Sequence, residues 1–140
     1  ILEAARYVID QKIPRGALFT SPTLVKDYLR TKLASFEHEV FAALFLDSQN
    51  RLIQYVELFR GTIDQTSVYP REVVKTALQH NAAAVIFSHN QPSGNSEPSQ
   101  ADKLLTQRLK EALALVDVRT LDHIVVGGEA TTSFAERGLI

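Results

Sequence analysis

Residues 82–102 read AAAVIFSHNQPSGNSEPSQAD, and the fold turns on how this stretch is parsed. Positions 82–87 are continuously apolar, as expected of a strand covered on both faces. Positions 88–99, SHNQPSGNSEPS, form the chain's one stretch dense in turn formers. A loop of that size inside a compact domain is usually functional. A helix is predicted over 100–115, with Ala101, Leu104, Leu105, Leu109 and Ala112 facing the core. Downstream, 118–126 reads as a strand, Gly127-Gly128 as a hairpin-type turn and 130–134 as a short closing strand.

Working upstream, Pro70 opens another helix that carries Val73, Val74, Ala77 and Leu78 inward, with Asn81 as its stop. The apolar, β-prone segments 40–46 and 52–59 are joined through Asp47-Ser48-Gln49-Asn50-Arg51, a hairpin connection. Thr20-Ser21-Pro22 starts a helix, a hydroxyl cap followed by proline in the first turn. Leu24, Val25, Tyr28 and Leu29 form its face. The opening residues, 1–15, read as a helix remnant with Leu2, Ala5 and Ile9 on one face, ended at Ile13-Pro14. The order of elements predicts an α/β fold, a mixed β-sheet flanked by helices. The turn-rich loop leaves the C-terminal end of the most buried strand, where open sheets place their sites.

Composition narrows the chemistry. The chain has 140 residues, one domain's length, with a net charge of −1 that exerts no global pull on nucleic acid or membrane. It has no cysteine, which excludes disulfides, thiolate metal sites and a thiol nucleophile. A transition metal would rely on the four histidines, carboxylates and neutral oxygens. The apolar runs fall far short of the ~20 residues that span a bilayer, so no membrane partner is expected and the cytoplasm is the expected compartment. Ile1, in a chain without methionine, is not expected to be the natural start.

His89-Asn90-Gln91-Pro92-Ser93-Gly94, followed by Pro98-Ser99-Gln100-Ala101-Asp102, resembles the metal motif of the JAB/MPN metalloprotease domain. That motif runs His-x-His, seven residues, then Ser-x-x-Asp. The bacterial RadC-like branch, reading HNHPSG and then PSxxD, is closer still. Leu58-Phe59-Arg60-Gly61-Thr62, Val68-Tyr69-Pro70-Arg71-Glu72-Val73 and Leu121-Asp122-His123 resemble its recurring blocks, and the similarity runs from about residue 21 to 140.

The resemblance implies a JAB/MPN-like (cytidine-deaminase-like) sandwich over 16–140 and a metallopeptidase or isopeptidase acting on a peptide or protein. It implies one zinc ion at the positions of His89, Gln91 and Asp102. It also implies Glu39 as general base, with Glu37 and Glu57 as weaker matches, and Ser99 as hydrogen-bond donor to the oxyanion. Gln91 stands where the family has its second metal-binding histidine. An amide oxygen is a neutral, harder and weaker donor than imidazole. Gln91 therefore leaves open a zinc site of reduced affinity, a harder metal, an empty site, or repair by another histidine. His123, on the strand face assigned to Leu121 and Val125, reads as structural.

Plainer readings stand beside these. Ser99 and Asp102 also match a helix-capping pattern. His38 and His80 sit at predicted element ends and read as solvated, and the basic residues of the helices read as a solvated face. The alternative to a hydrolase is a metal-poor protein-interaction module. A nucleic-acid role rests on the family's association with DNA repair alone, and a homodimer through the sheet's ends is compatible with the pattern.

Overall fold

A computed structural model describes residues 16, 19, 21–63 and 66–140. The helix read over 1–15 lies outside the described residues. The elements run α1 (Pro22–Leu33), β1 (Val40–Leu46), β2 (Leu52–Arg60), α2 (Pro70–Gln79), β3 (Ala84–Asn90), α3 (Gln100–Ala114), β4 (Arg119–Gly127) and β5 (Ala130–Ser133). The strands form one five-stranded sheet in the order β2-β1-β3-β4-β5. β1 is antiparallel to both β2 and β3, β3 and β4 are parallel, and β5 returns antiparallel to β4. This is the mixed sheet expected from the element order.

The two central strands explain the apolar runs. Every residue of β1 and β3 is buried, because helices cover both faces of the sheet. On one face Val25, Tyr28, Leu29 and Leu33 of α1 pack with Val40, Ala42, Leu44, Ile86, Ile124 and Val126. On the other, Val73 and Ala77 of α2 and Leu105, Leu109 and Leu113 of α3 pack on Phe41, Ala43, Phe45, Val85 and Phe87. The alternation 40/42/44 against 41/43/45 is the strand period sorting one segment into two cores.

Several local expectations shift. Leu78 and Leu104 are exposed rather than inward, and α3 buries Asp102 and Thr106 along its core stripe. That stripe follows 102, 105, 106, 109 and 113, the helical period, so a leucine at 104 falls outside it. β3 starts at Ala84 and runs on through Ser88, His89 and Asn90, polar residues expected in the loop. They remain in the strand because each finds a partner; Ser88 Oγ, for instance, donates to Ile124 O at 2.7 Å. His80 is half-buried, its ring stacked on Phe45 at 5.4 Å and its Nδ1 2.9 Å from Thr76 O. The tight turn of the last hairpin is Gly128-Glu129, since Gly127 still pairs with Ala130.

Strand β4 carries the most consequential irregularity. Val85 pairs with Thr120 but Ile86 pairs with Asp122, so one residue, Leu121, is extra. The bulge turns Leu121 to the α1 side, where it joins the cluster holding Ile124 and Val126. His123 therefore does not share a face with Leu121. It points instead to the α3 side, fully buried beside Thr106.

Candidate functional site

The polar end of β3 and the first turn of α3 meet at the C-terminal edge of the sheet's centre. Ser99 caps α3, and the cap is reciprocal. Asp102 N donates to Ser99 Oγ at 3.0 Å, and Ser99 N donates to Asp102 Oδ2 at 2.8 Å. The capping reading holds, and the cap fixes the carboxylate that faces the strand end. Ser99 Oγ accepts in the cap, and its hydroxyl also bonds the Asp102 carboxylate.

His89 Nε2 is buried and, among the described residues, has no hydrogen-bond partner. It lies 3.5 Å from Asp102 Oδ2. The Gln91 side-chain amide lies 3.4 Å from the same oxygen and 3.5 Å from Glu97 O. Two donors bonded to one tetrahedral zinc stand about 3.3–3.5 Å apart, so both separations match such an edge. Which end of the Gln91 amide faces inward is set by what it meets, and a cation would turn its oxygen inward. The orphaned nitrogen and the amide thus each stand beside the Asp102 carboxylate at a spacing compatible with a shared cation. Among the described residues no group of three histidine, cysteine, aspartate or glutamate side chains could hold a metal.

Electrostatics around Asp102 favour that use. Burial pushes its carboxyl up, but the His89 ring when it carries charge, with the N–H and hydroxyl of Ser99, outweighs this and holds it at about 2. The group is an anion at neutral pH. The opposite holds for His123. Burial first, then the neighbouring His89, keep its ring well below 6.5, so it is neutral.

Glu39 sits one residue before β1, half-buried, and its Oε2 accepts from Ile63 N at 2.8 Å. Phe41 pairs with His89 at the end of the β1–β3 ladder, and Glu39 and Gln91 each lie two residues beyond that pair. By the pleat, Glu39, Phe41, His89 and Gln91 share a face. Glu57 pairs with Ala42, on the α1 side, where its carboxylate takes the Tyr55 hydroxyl and Arg60. Glu37 and His38 are exposed.

Three residues around the site were missed as functional. Asn90 does the work of a missing strand residue: its Oδ1 accepts from Val40 N at 2.6 Å and its Nδ2 donates to His38 O at 2.9 Å, pinning the backbone on either side of Glu39. Gly127 lets the loop close over β4, since a Cβ there would stand 2.5 Å from Ser96 N and 2.8 Å from Gly94 O. His123 touches His89, its Nε2 2.7 Å from His89 Nδ1. Its sequence signal was the Leu121-Asp122-His123 block at the polar start of the strand over 118–126.

The chain is similar to known proteins along nearly its whole length. A family model described as the RadC-like JAB domain matches residues 19–139. A UPF0758 protein of Vibrio cholerae is 61% identical over 138 residues, 99% of this chain and 87% of the relative. A UPF0758 protein of Leptothrix cholodnii is 61% identical over 140 residues, covering all of this chain and 63% of the relative. One from Cellvibrio japonicus is 63% identical over 138 residues, 99% of this chain and 62% of the relative. The chain thus spans under two-thirds of the length of the latter two.

Proposed function

Since the chain belongs to the RadC-like JAB domain family, we propose that it is a hydrolase domain for peptide or isopeptide bonds that works with one zinc ion. The observation that supports this is that the orphaned His89 Nε2 and the Gln91 amide both lie beside the ionised Asp102 carboxylate. His89, Asp102 and Gln91 would hold the ion. When bound, it supplies a Lewis acid that polarises a carbonyl and acidifies water. The rest is the chain's own work. Glu39, on the same sheet face, accepts the proton of the attacking water and returns it to the leaving amine. The Ser99 hydroxyl, held in place by the Asp102 N–H, donates to the oxygen on which negative charge develops.

This reading is tested with protein loaded with zinc, assayed against an unfolded protein substrate and an isopeptide-linked peptide pair. Cleavage should occur, and Glu39→Gln should lower the rate by about 10²–10⁴-fold while leaving zinc bound. No cleavage of either substrate by the loaded protein, or equal rates in the variant, contradicts it.

One observation favours a second reading. Asp102 Oδ2 is already engaged by the Ser99 N–H and approached by the Gln91 amide, a self-satisfied arrangement that needs no ion. On that basis the domain would be a protein-interaction module without metal. A role beside DNA has only the family association behind it. Binding to DNA that weakens steeply with salt would support it.

A further inference from the structure

His89 and His123 are both buried, and their facing nitrogens, His89 Nδ1 and His123 Nε2, are 2.7 Å apart. Two ring nitrogens in such contact hold one proton between them: one ring donates, the other accepts. The far end of the contact decides which. His123 Nδ1 lies 2.6 Å from Thr106 Oγ1, and the same oxygen lies 2.8 Å from the backbone oxygen of Asp102. A carbonyl oxygen carries no hydrogen, so the single hydroxyl hydrogen of Thr106 goes to it. Thr106 Oγ1 must then accept from His123 Nδ1–H. His123 Nε2 is left as an acceptor, and His89 Nδ1–H donates to it. The consequence appears at the other side of the ring, where His89 Nε2 is a bare lone pair aimed toward Asp102 Oδ2.

We propose that Thr106 and His123 are positioning residues for His89, a relay that fixes its proton on Nδ1 and presents Nε2 as an unprotonated donor. The relay begins and ends on one residue, from the Asp102 backbone oxygen to the Asp102 carboxylate. The opposite direction of proton donation fails twice. It sets the Thr106 oxygen against the Asp102 carbonyl with no hydrogen between them at 2.8 Å. It also gives His89 Nε2 a hydrogen whose nearest acceptor is 3.5 Å away. Ring planes are held as well, since His123 stacks on Phe134 at 4.6 Å and meets Phe41 edge-on at 5.5 Å.

The purpose of the relay rests on the reading of His89 as a metal donor, but its existence does not, and the experiment separates the two. The chain has only four histidines, so long-range ¹H–¹⁵N correlation on histidine-labelled, metal-free protein at about pH 8 resolves each tautomer. The relay requires the proton on Nδ1 in both His89 and His123. Thr106→Val, close to isosteric, should mix the two tautomers and weaken zinc binding by about 10–100-fold, and Thr106→Ser should restore both. A proton on Nε2 of either ring in the wild type overturns the relay, as does a Thr106→Val protein with unchanged tautomers. Both tautomers as stated in a protein that takes up no zinc supports the relay and overturns the metal reading. Zinc binding with His89 protonated on Nε2 in the metal-free state does the reverse.

Discussion

Nε2 of His89 stands 3.5 Å from Oδ2 of Asp102, two buried groups from elements ten residues apart that meet without a strong hydrogen bond. A strand end and a helix cap deliver them, and both positions are fixed by bonds that do not involve the pair. A lone pair and a carboxylate so placed repel each other unless a positive charge stands between them.

Gln91→His should raise zinc affinity by about 10–100-fold or more, taking the loss of even an indirect partner as the floor. Imidazole replaces an amide oxygen at a position already 3.4 Å from Asp102. Competitive titration with a chromophoric chelator reads the change. An unchanged affinity would mean that residue 91 does not reach the ion.

Asn90→Ala should destabilise the domain by about 1–3 kcal/mol, because Val40 N–H and His38 O lose their partner at a buried strand end. Urea unfolding measures it. The same change should loosen the backbone around Glu39, seen as faster amide exchange at Val40. A variant as stable as wild type would show that water replaces the side chain without loss.

Gly127→Ala should cost about 1–3 kcal/mol through overpacking. The new methyl meets the backbone of Gly94, Asn95 and Ser96 rather than a side chain that can swing aside. Chemical-shift changes should concentrate in 91–99, and the cost should show in the urea midpoint. Wild-type stability would mean that the loop rides freely over β4.

The β1–β2 hairpin supplies a pH test. Asp47 Oδ1 accepts from Gln49 N at 2.8 Å and Arg51 N at 2.9 Å, and the Arg51 backbone bond is the main cause that holds its carboxyl below the ordinary 3.8. A folded-state pKa below the unfolded one stabilises the fold above 3.8, and that contribution is lost as pH falls through the folded value. Wild type should therefore melt above Asp47→Ala at neutral pH, and the gap should close as the pH drops below 3.8. A gap that persists unchanged in acid would contradict this account of the turn.

Much of the fold was legible in the sequence because its signals are local. The caps at Ser21 and Ser99, the hairpin at 47–51 and the apolar runs of the two central strands each follow from a few neighbouring residues. His89, Ser99 and Asp102 were legible as a group because their spacing sets a strand end against a helix start. His123 and Asn90 were not legible as partners of the site, since their contacts lie 34 and 50 residues away in sequence. The bulge at Leu121 compounds this. A strict period of two from Leu121 or Val125 gives His123 its neighbours on paper, but the extra residue moves Leu121 to the other face. The inward direction of Thr106 was hidden because Leu104, two residues earlier, was the more apolar choice and is exposed.

The central claim is that His89, Asp102 and Gln91 hold one zinc ion. It is tested most directly by stripping the protein of metal, dialysing it against micromolar zinc at neutral pH, and measuring bound zinc by elemental analysis. The account predicts about one zinc per chain, lost in His89→Ala and in Asp102→Asn, with both variants still folded by circular dichroism. Wild-type protein that takes up no zinc, or a His89→Ala variant that holds as much as wild type, would contradict it.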